Sequence, residues 1–228
     1  MLTLIIDTAT KIGSVALFHD EIGLIGEINI NAKTNHSALI IRLIDSLFSL
    51  TDYKIEEIDR ICVTLGPGSF TGIRVGVSAA KGLAISLNKK ILGINELDLL
   101  ANTLEHPQYE VISMIDARKE RVYYCKYNVS HDGVLEKNID YQVGEVIDFL
   151  NTLDNEKKYL FVGDGANIYK DLITEVLKER AQIVSLANTI PRAGVAGKFI
   201  GKMQDDNLHT LEPYYVSKSQ AERMRKDL

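Results

Sequence analysis

The sequence predicts an α/β protein whose chain is divided into two similar lobes, and three observations support this prediction. The 228 residues are 46% hydrophobic but only 7% aromatic, and this aliphatic composition suits a mixed α/β core. Short apolar runs alternate with segments in which apolar residues recur every three or four positions. A strand, an aspartate, a polar turn and a second strand occur twice, with Asp7 seven residues before Ser14 and Asp116 seven residues before Tyr123.

The first lobe is predicted to open with an antiparallel meander of three strands, because three apolar runs follow each other closely. Asn35, His36 and Ser37 can cap the helix that follows, whose apolar residues lie three and four apart. The break at His106 and Pro107 predicts a boundary, so that residues 1–105 form this lobe. Its predicted elements are strands at 2–6, 14–18 and 23–30, a helix at 37–50, a strand at 60–65, a helix at 73–87, a strand at 91–94 and a helix at 96–104.

The second lobe is predicted to cover residues 106–211 and to start with the repeated strand–aspartate–turn–strand unit. Residues 212–228 are predicted to form a tail helix that packs back on the first lobe. The predicted elements are strands at 111–116 and 121–127, a helix at 145–150, a strand at 159–162, a helix at 168–179, a strand at 183–186 and a helix at 192–203.

The charge balance argues against a chain that holds nucleic acid by itself. Lys and Arg number 26 against 31 Asp and Glu, and the clearest basic cluster is in the tail. The chain begins with a strand rather than a basic leader and has no apolar run of about 18 residues, so we expect a cytoplasmic protein without a membrane span. Cys62 and Cys125 each lie in an apolar run, which predicts buried, reduced thiols.

The strongest local motif is a glycine- and hydroxyl-rich segment between a predicted strand and a predicted helix. Backbone N–H groups at such a helix start favour an anion, and glycine permits unusual torsions or a close approach of other atoms. The Gly-Lys-Ser/Thr element of a P-loop is absent. A phosphate cradle and a tight turn that lets two helices pack closely are both open interpretations. The candidate residues are Gly66, Gly68, Ser69, Thr71 and Gly72.

The first hairpin turn, with Asp7, Thr8 and Thr10, resembles the loop that actin-like phosphotransferases place around a nucleotide, where carboxylates hold Mg²⁺ and hydroxyls meet phosphate. Ordinary Asp and Thr turn chemistry explains the same residues equally well. In the second lobe Asp116, with Gly163 and Gly165, forms the corresponding candidate site, and a plain strand–helix turn is again the alternative. The histidines and cysteines show no spacing typical of a metal site.

Several of these segments together resemble the bacterial TsaB (YeaZ) family. The resemblance covers most of residues 1–125 and is weaker from about 128 to 205. The matching segments are LIIDTAT at 4–10, NHS at 35–37, GPGSFTGIRVG at 66–76, SAAKGLA at 78–84, DAR at 116–118 and EPYY at 212–215.

The resemblance implies a two-lobed, actin-like or sugar-kinase-like (ASKHA) fold. It also implies a non-catalytic dimerization subunit that binds and activates a metal-containing threonylcarbamoyltransferase subunit (TsaD-like), together with an ATPase subunit (TsaE-like). The product would be threonylcarbamoyladenosine beside the tRNA anticodon. ATP and the metal would be held by the partners and none by this chain alone. The metal-binding His-x-x-x-His of the catalytic paralogue falls here near Glu96 and Leu100.

Subunit pairing is predicted to use two helices of the first lobe, because the helix at 73–87 is apolar or small on most sides. Burial of much of this surface inside the lobe is the competing interpretation. The same surface would allow the free chain to pair with itself, and tRNA contact would be indirect. The predicted interface residues are Ile40, Leu43, Leu47, Val77, Ala80 and Leu83.

Two other functions stay open at this point. One is a small ATP-dependent phosphotransferase of the same fold, which the turns at Asp7 and Asp116 would serve. The other is a peptidase of the glycoprotease type, although no metal motif or nucleophile–base pair is visible in the sequence.

Overall fold

A computed structural model describes residues 1–31, 36–188 and 190–216. It contains two mixed β-sheets with helices packed on them. The first sheet has the strand order β3-β2-β1-β4-β5, in which β1 and β2 are antiparallel whereas β1, β4 and β5 are parallel. Its elements are β1 Leu2–Asp7, β2 Ile12–His19, β3 Gly23–Asn31, α1 His36–Ser49, β4 Arg60–Thr64, α2 Phe70–Leu87, β5 Lys90–Ile94 and α3 Glu96–Ala101.

The second sheet repeats this arrangement. Strand β6 is antiparallel to β7 and parallel to β10, as β1 is to β2 and β4, and β10 is parallel to β11. Strands β8 and β9 both pair with β7. The duplicated architecture is thereby confirmed. The elements are β6 Glu110–Asp116, β7 Arg121–Val129, β8 Leu135–Lys137, β9 Gln142–Glu145, α4 Val146–Asn151, β10 Tyr159–Val162, α5 Asp164–Ile168, α6 Lys170–Leu177 and β11 Ala181–Ile183.

Several predicted boundaries differ from the structure. The predicted helix at 168–179 is two shorter helices, α5 and α6, and the predicted strand at 183–186 ends at Ile183. Strands β8 and β9 were not predicted, because they are short and largely exposed and therefore carry little hydrophobic pattern. The proposed cap Asn35 and the basic tail cluster lie outside the described residues.

The segment predicted as a helix at 192–203 consists of two 3-10 helices, Ala193–Lys198 and Ile200–Lys202. This segment was predicted to be part of the second lobe, but it packs on the first sheet. Gly194 and Gly197 permit this close packing, because a Cβ at Gly194 would lie 2.8 Å from the Leu24 side chain and a Cβ at Gly197 would overlap the Phe18 ring. These glycines allow the 3-10 backbone to lie close against β2 and β3, at the expense of a regular α-helix.

The C-terminal segment also belongs with the first lobe. Leu211 is part of the core beneath α1 and α2, and the backbone N–H of Tyr214 donates to the carbonyl oxygen of Leu65 at 2.8 Å. Residues 212–216 are not helical, so the predicted tail helix does not include them. Residues 217–228 lie outside the described residues.

Both cysteine thiols are buried and free, as predicted. Burial raises the pKa of Cys62 to about 12 and that of Cys125 to about 11, so neither is an activated nucleophile at neutral pH. Among the described residues, no helix combines the length and apolar character that crossing a membrane requires.

Candidate functional site

The first hairpin turn is held to its neighbours by its own polar side chains. The Asp7 carboxylate is fully buried, and its Oδ1 accepts hydrogen bonds from the N–H of Ala9 at 2.9 Å and from the hydroxyl of Thr64 at 2.7 Å. The Thr8 hydroxyl donates to the carbonyl oxygen of Gly72 at 2.7 Å. Thr10 is half-buried, and its Oγ1 accepts from the N–H of Ile12 at 3.2 Å. These candidate nucleotide-loop residues therefore bind the turn to β4 and α2.

The glycine-rich loop lies directly under this turn. Gly68 has a φ of +153°, and a Cβ there would lie less than 3.0 Å from the Ala9 carbonyl oxygen. A Cβ at Gly72 would overlap the Thr8 carbonyl oxygen in the same way. The N–H of Ser69 donates to the Ala9 carbonyl oxygen at 2.6 Å, and the Ser69 hydroxyl caps α2 by accepting from the N–H of Gly72 at 3.2 Å. The glycines thus accommodate the backbone of the first hairpin turn.

The loop contains two further candidate residues, Gly66 and Thr71. Gly66 has a φ of +103° and is joined to Pro67 by a cis peptide bond. Thr71 is exposed at the start of α2.

The second lobe repeats the contact. Gly163 has a φ of +101°, and a Cβ there would lie less than 3.0 Å from the carbonyl oxygen of Met114 in β6. At Gly165 a Cβ would meet the backbone of Ile115 at 3.1 Å. The Asp116 carboxylate accepts from the Tyr169 hydroxyl at 3.0 Å. In each lobe, a glycine after a parallel strand lies on the backbone at the carboxyl end of the central strand.

A buried carboxyl group lies between the two turns, and the sequence analysis did not single it out as a site residue. Glu96, the first residue of α3, is fully buried. Burial raises its pKa well above the usual range, and the neighbouring carboxyl groups of Asp7 and Asp164 raise it further. Burial also raises the pKa of Asp164. Glu96 is therefore protonated over a range of pH in which an exposed glutamate is ionised.

Helix α3 packs against both sheets. Leu99 packs with residues of the first sheet, whereas Leu97, Leu100 and Ala101 pack with residues of β6, β7 and β10. Glu96 and Leu100, near which the resemblance places the paralogue's histidine pair, are a buried carboxyl and a core leucine. Within the described residues, no cluster of three His, Cys, Asp or Glu side chains is arranged to hold a metal ion.

A carboxylate on the other side of α3 ties this helix to the second lobe. Asp98 accepts hydrogen bonds from the hydroxyls of Tyr127 at 2.7 Å and Tyr141 at 2.6 Å. Burial and the Asp98 charge raise the pKa of both tyrosines, so the hydroxyls remain donors. The contact helps to keep the lobes in one relative orientation.

Five of the six predicted pairing residues are buried in the core of the first lobe. Of the six, Leu83 is half-buried and the other five have at most 6% of their surface exposed within the core of the first lobe. Helices α1 and α2 turn their periodic apolar stripe towards the sheet, so at the five buried positions the structure favours the competing interpretation, burial inside the lobe. The five buried residues are Ile40, Leu43, Leu47, Val77 and Ala80.

The outer face of α1 and α2 nevertheless forms an open groove of about 620 Å³. Exposed Ile41 and Phe70 provide apolar surface. One turn beyond the groove residue Ser78 lies Gly82, where a Cβ would meet no atom within 4 Å. The lining residues are Ile40, Ile41, Phe70, Thr71, Arg74, Val75, Ser78 and Ala79.

The repeated sheets and their packed turns define a protein of the actin-like ASKHA class. A solved structure of this class, (R)-2-hydroxyglutaryl-CoA dehydratase component A from Acidaminococcus fermentans, matches with a TM-score of 0.50 and 13% identity over 89% of this chain and 100% of that chain. A Pseudomonas aeruginosa protein described by its similarity to peptidase YeaZ matches with a TM-score of 0.80 and 24% identity over 95% of this chain and 99% of that chain.

Sequence comparison identifies the family. A family model described as TsaD, tRNA N6-adenosine threonylcarbamoyltransferase, matches residues 14–224. The tRNA threonylcarbamoyladenosine biosynthesis protein TsaB of Bacillus subtilis is 32% identical over 224 residues, which are 97% of this chain and 96% of that protein. The chain belongs to the TsaB (YeaZ) family, as the sequence motifs indicated.

Proposed function

We propose that this chain is a non-catalytic pairing subunit in the biosynthesis of threonylcarbamoyladenosine in tRNA. It binds and activates a TsaD-type transferase subunit, and an ATPase subunit joins the pair. The metal and ATP are bound by these partner subunits, which also make most of the contacts with tRNA. The complex works in the cytoplasm. The free chain pairs with itself through the same surface that binds the transferase subunit.

The observation that carries this proposal is the packing of α3. Leu100, one of the two positions at which the resemblance places the paralogue's histidine pair, is a buried leucine that packs with residues of the second sheet, and leucine cannot ligate a metal. The polar residues of both turns are engaged in internal hydrogen bonds. Such internal contacts suit a rigid subunit that acts by binding partners on its outer surface.

The outer face of α1 and α2 supports the assignment of the pairing surface. A contiguous exposed apolar patch on a folded protein is more often an interaction site than other parts of the surface are. Small residues Ser78, Ala79 and Gly82 lie along the exposed side of α2, and they permit close approach of another helix. The pairing face therefore consists of the outward residues of the two helices.

Reconstitution tests the proposed role. The purified chain, its transferase subunit and its ATPase subunit are combined with tRNA, ATP and the threonylcarbamoyl donor, and modified adenosine is measured after omission of each protein. We expect no product from this chain alone and a large loss of product when it is left out. Product formed by the isolated chain, or undiminished product in its absence, would contradict the proposal.

Substitution of Gly82 by glutamate tests the pairing face. The new side chain meets no atom of its own chain, and glutamate has the higher helix propensity, so the isolated protein should be more stable by about 0.5 kcal/mol. An unpaired charge enclosed in the interface should weaken binding of the transferase subunit by about 100-fold or more. Calorimetric titration measures the dissociation constant, and thermal melting measures stability.

Gly201→Glu is the matched control, because Gly201 is also exposed and open to a Cβ but lies in the 3-10 helix Ile200–Lys202. It should bind the partner with unchanged affinity. Equal affinities of both variants and the unmodified protein would place the pairing face elsewhere.

A further inference from the structure

The groove between α1 and α2 contains a single charged side chain among its eight lining residues, that of Arg74. Its remaining lining is aliphatic, aromatic, hydroxyl-bearing or alanine, and it includes no carboxylate. A lone cation in a groove of this kind is a point of selectivity, because a partner must either match its charge or leave it desolvated.

The guanidinium of Arg74 is held in one place by two aromatic residues. Its Nε donates a hydrogen bond to the hydroxyl of Tyr215 at 3.0 Å, and its Cζ lies 3.8 Å from the centre of the Phe70 ring. The two rings lie 5.4 Å apart. Within the described part of the chain, no hydrogen bond or ion pair engages the Nη1 and Nη2 donors of Arg74.

Tyr215 reaches this position because the C-terminal segment runs beside the glycine-rich loop. The N–H of the preceding Tyr214 donates to the Leu65 carbonyl oxygen at 2.8 Å, and the Tyr214 ring meets the Tyr141 ring edge-on at 5.6 Å between centroids. Tyr215 in the C-terminal segment thus holds the guanidinium of Arg74, from which it is 141 residues away in the sequence.

We propose that Arg74 is the residue that selects the partner of this groove, and that Tyr215 positions it. The partner is the surface of the transferase subunit that carries an aspartate or glutamate among aliphatic side chains, and its carboxylate binds the two Nη groups in a bidentate pair. This inference rests on the proposed pairing function.

Charge complementarity favours this partner over a second copy of the chain. In a two-fold contact the same surface is present on both sides, so a second copy would bring a groove whose one charged lining side chain is again Arg74. The groove lining has no carboxylate to compensate either arginine. The pairing with the transferase subunit should therefore depend on Arg74, whereas self-pairing should not gain from it.

Binding of the transferase subunit to three variants tests the inference by calorimetric titration at low and high salt. Arg74→Met keeps most of the apolar length and should weaken binding about 10- to 100-fold, with loss of salt dependence. Arg74→Lys keeps the charge but not the planar fork, and should recover part of the affinity. Tyr215→Phe removes only the hydroxyl that holds Nε, and should weaken binding about 2- to 10-fold. Self-association, measured by ultracentrifugation, should not weaken in Arg74→Met.

Tyr214→Phe is the control for Tyr215→Phe, since Tyr214 contacts Tyr141 rather than Arg74. It should bind the transferase subunit with unchanged affinity. Unchanged binding of Arg74→Met together with lost binding of Gly82→Glu would overturn the role of Arg74 and leave the pairing face standing. Unchanged binding of both would overturn the pairing face itself. Equal weakening of self-pairing and partner binding in Arg74→Met would overturn the selection of a carboxylate-bearing partner.

Discussion

Replacement of Gly72 by alanine is expected to destabilise the fold by about 3 kcal/mol or more. The added Cβ would lie less than 3.0 Å from the backbone carbonyl oxygen of Thr8, which cannot turn away as a flexible side chain could. The turn that contains Thr8 is held in place by the hydrogen bond from Thr64 to Asp7 and by the bond from Thr8 back to Gly72. Relief of the overlap therefore requires these contacts to open together.

Gly82→Ala provides the control in the same helix. Gly82 is exposed, and an added Cβ meets no atom within 4 Å, so alanine should stabilise the protein by about 1 kcal/mol through its helix propensity. Urea unfolding measures both changes. A Gly72→Ala protein as stable as the unmodified protein would show that the turn can shift away from α2 without cost.

Replacement of Glu96 by glutamine is expected to stabilise the protein at alkaline pH and to change it little near pH 4. The folded state raises the pKa of Glu96 through burial and through the carboxyl groups of Asp7 and Asp164, so folding retains a proton that the unfolded chain releases. The stability associated with this proton is complete below the unfolded pKa of about 4.3 and is lost as pH rises towards the folded pKa. The loss is about 1.4 kcal/mol for each pH unit between these two values.

Glutamine has nearly the same shape as glutamic acid and cannot ionise, so this part of the pH dependence should disappear. The free energy of unfolding, measured in urea from pH 4 to pH 9, checks the expectation. Glu56→Gln is the control, because Glu56 is exposed and should show the pH profile of the unmodified protein. A Glu96→Gln profile that falls as steeply towards high pH as that of the unmodified protein would contradict the assignment.

Features with a local signal were predictable from the sequence. The aspartates at the ends of β1 and β6, each followed after seven residues by a strand residue, indicated the duplicated hairpins that the two sheets confirm. The buried sides of α1 and α2 were visible in the sequence as an apolar periodicity. Positions such as Ala80 were nevertheless predicted to lie in a partner interface, whereas Ala80 lies in the core of the first lobe. A periodic apolar stripe shows which side of a helix must be buried, whereas only the packed structure shows that the sheet of the same lobe buries it.

The polar residues of the candidate site were recognised by type but not by partner. Asp7 and Thr8 were visible as turn residues, yet their contacts with Thr64 and Gly72 join residues that are distant in the sequence. Glu96 attracted notice only through the resemblance, because a glutamate at the start of a helix is ordinarily exposed there. Its surroundings come from both lobes, because Asp7 of the first and Asp164 of the second are among its charged neighbours.

The sequence by itself determined the α/β class, the two similar halves, most of the helices and strands, and the family, because each depends on residue order over short stretches. The tertiary structure alone decided that the glycines of the loop lie against the backbone of the first turn, and that α3 packs against both sheets. It also decided that Tyr215 holds Arg74 at the groove. These features arise where segments far apart in the chain compete for the same space, and the close packing of the folded protein determines which atoms occupy it.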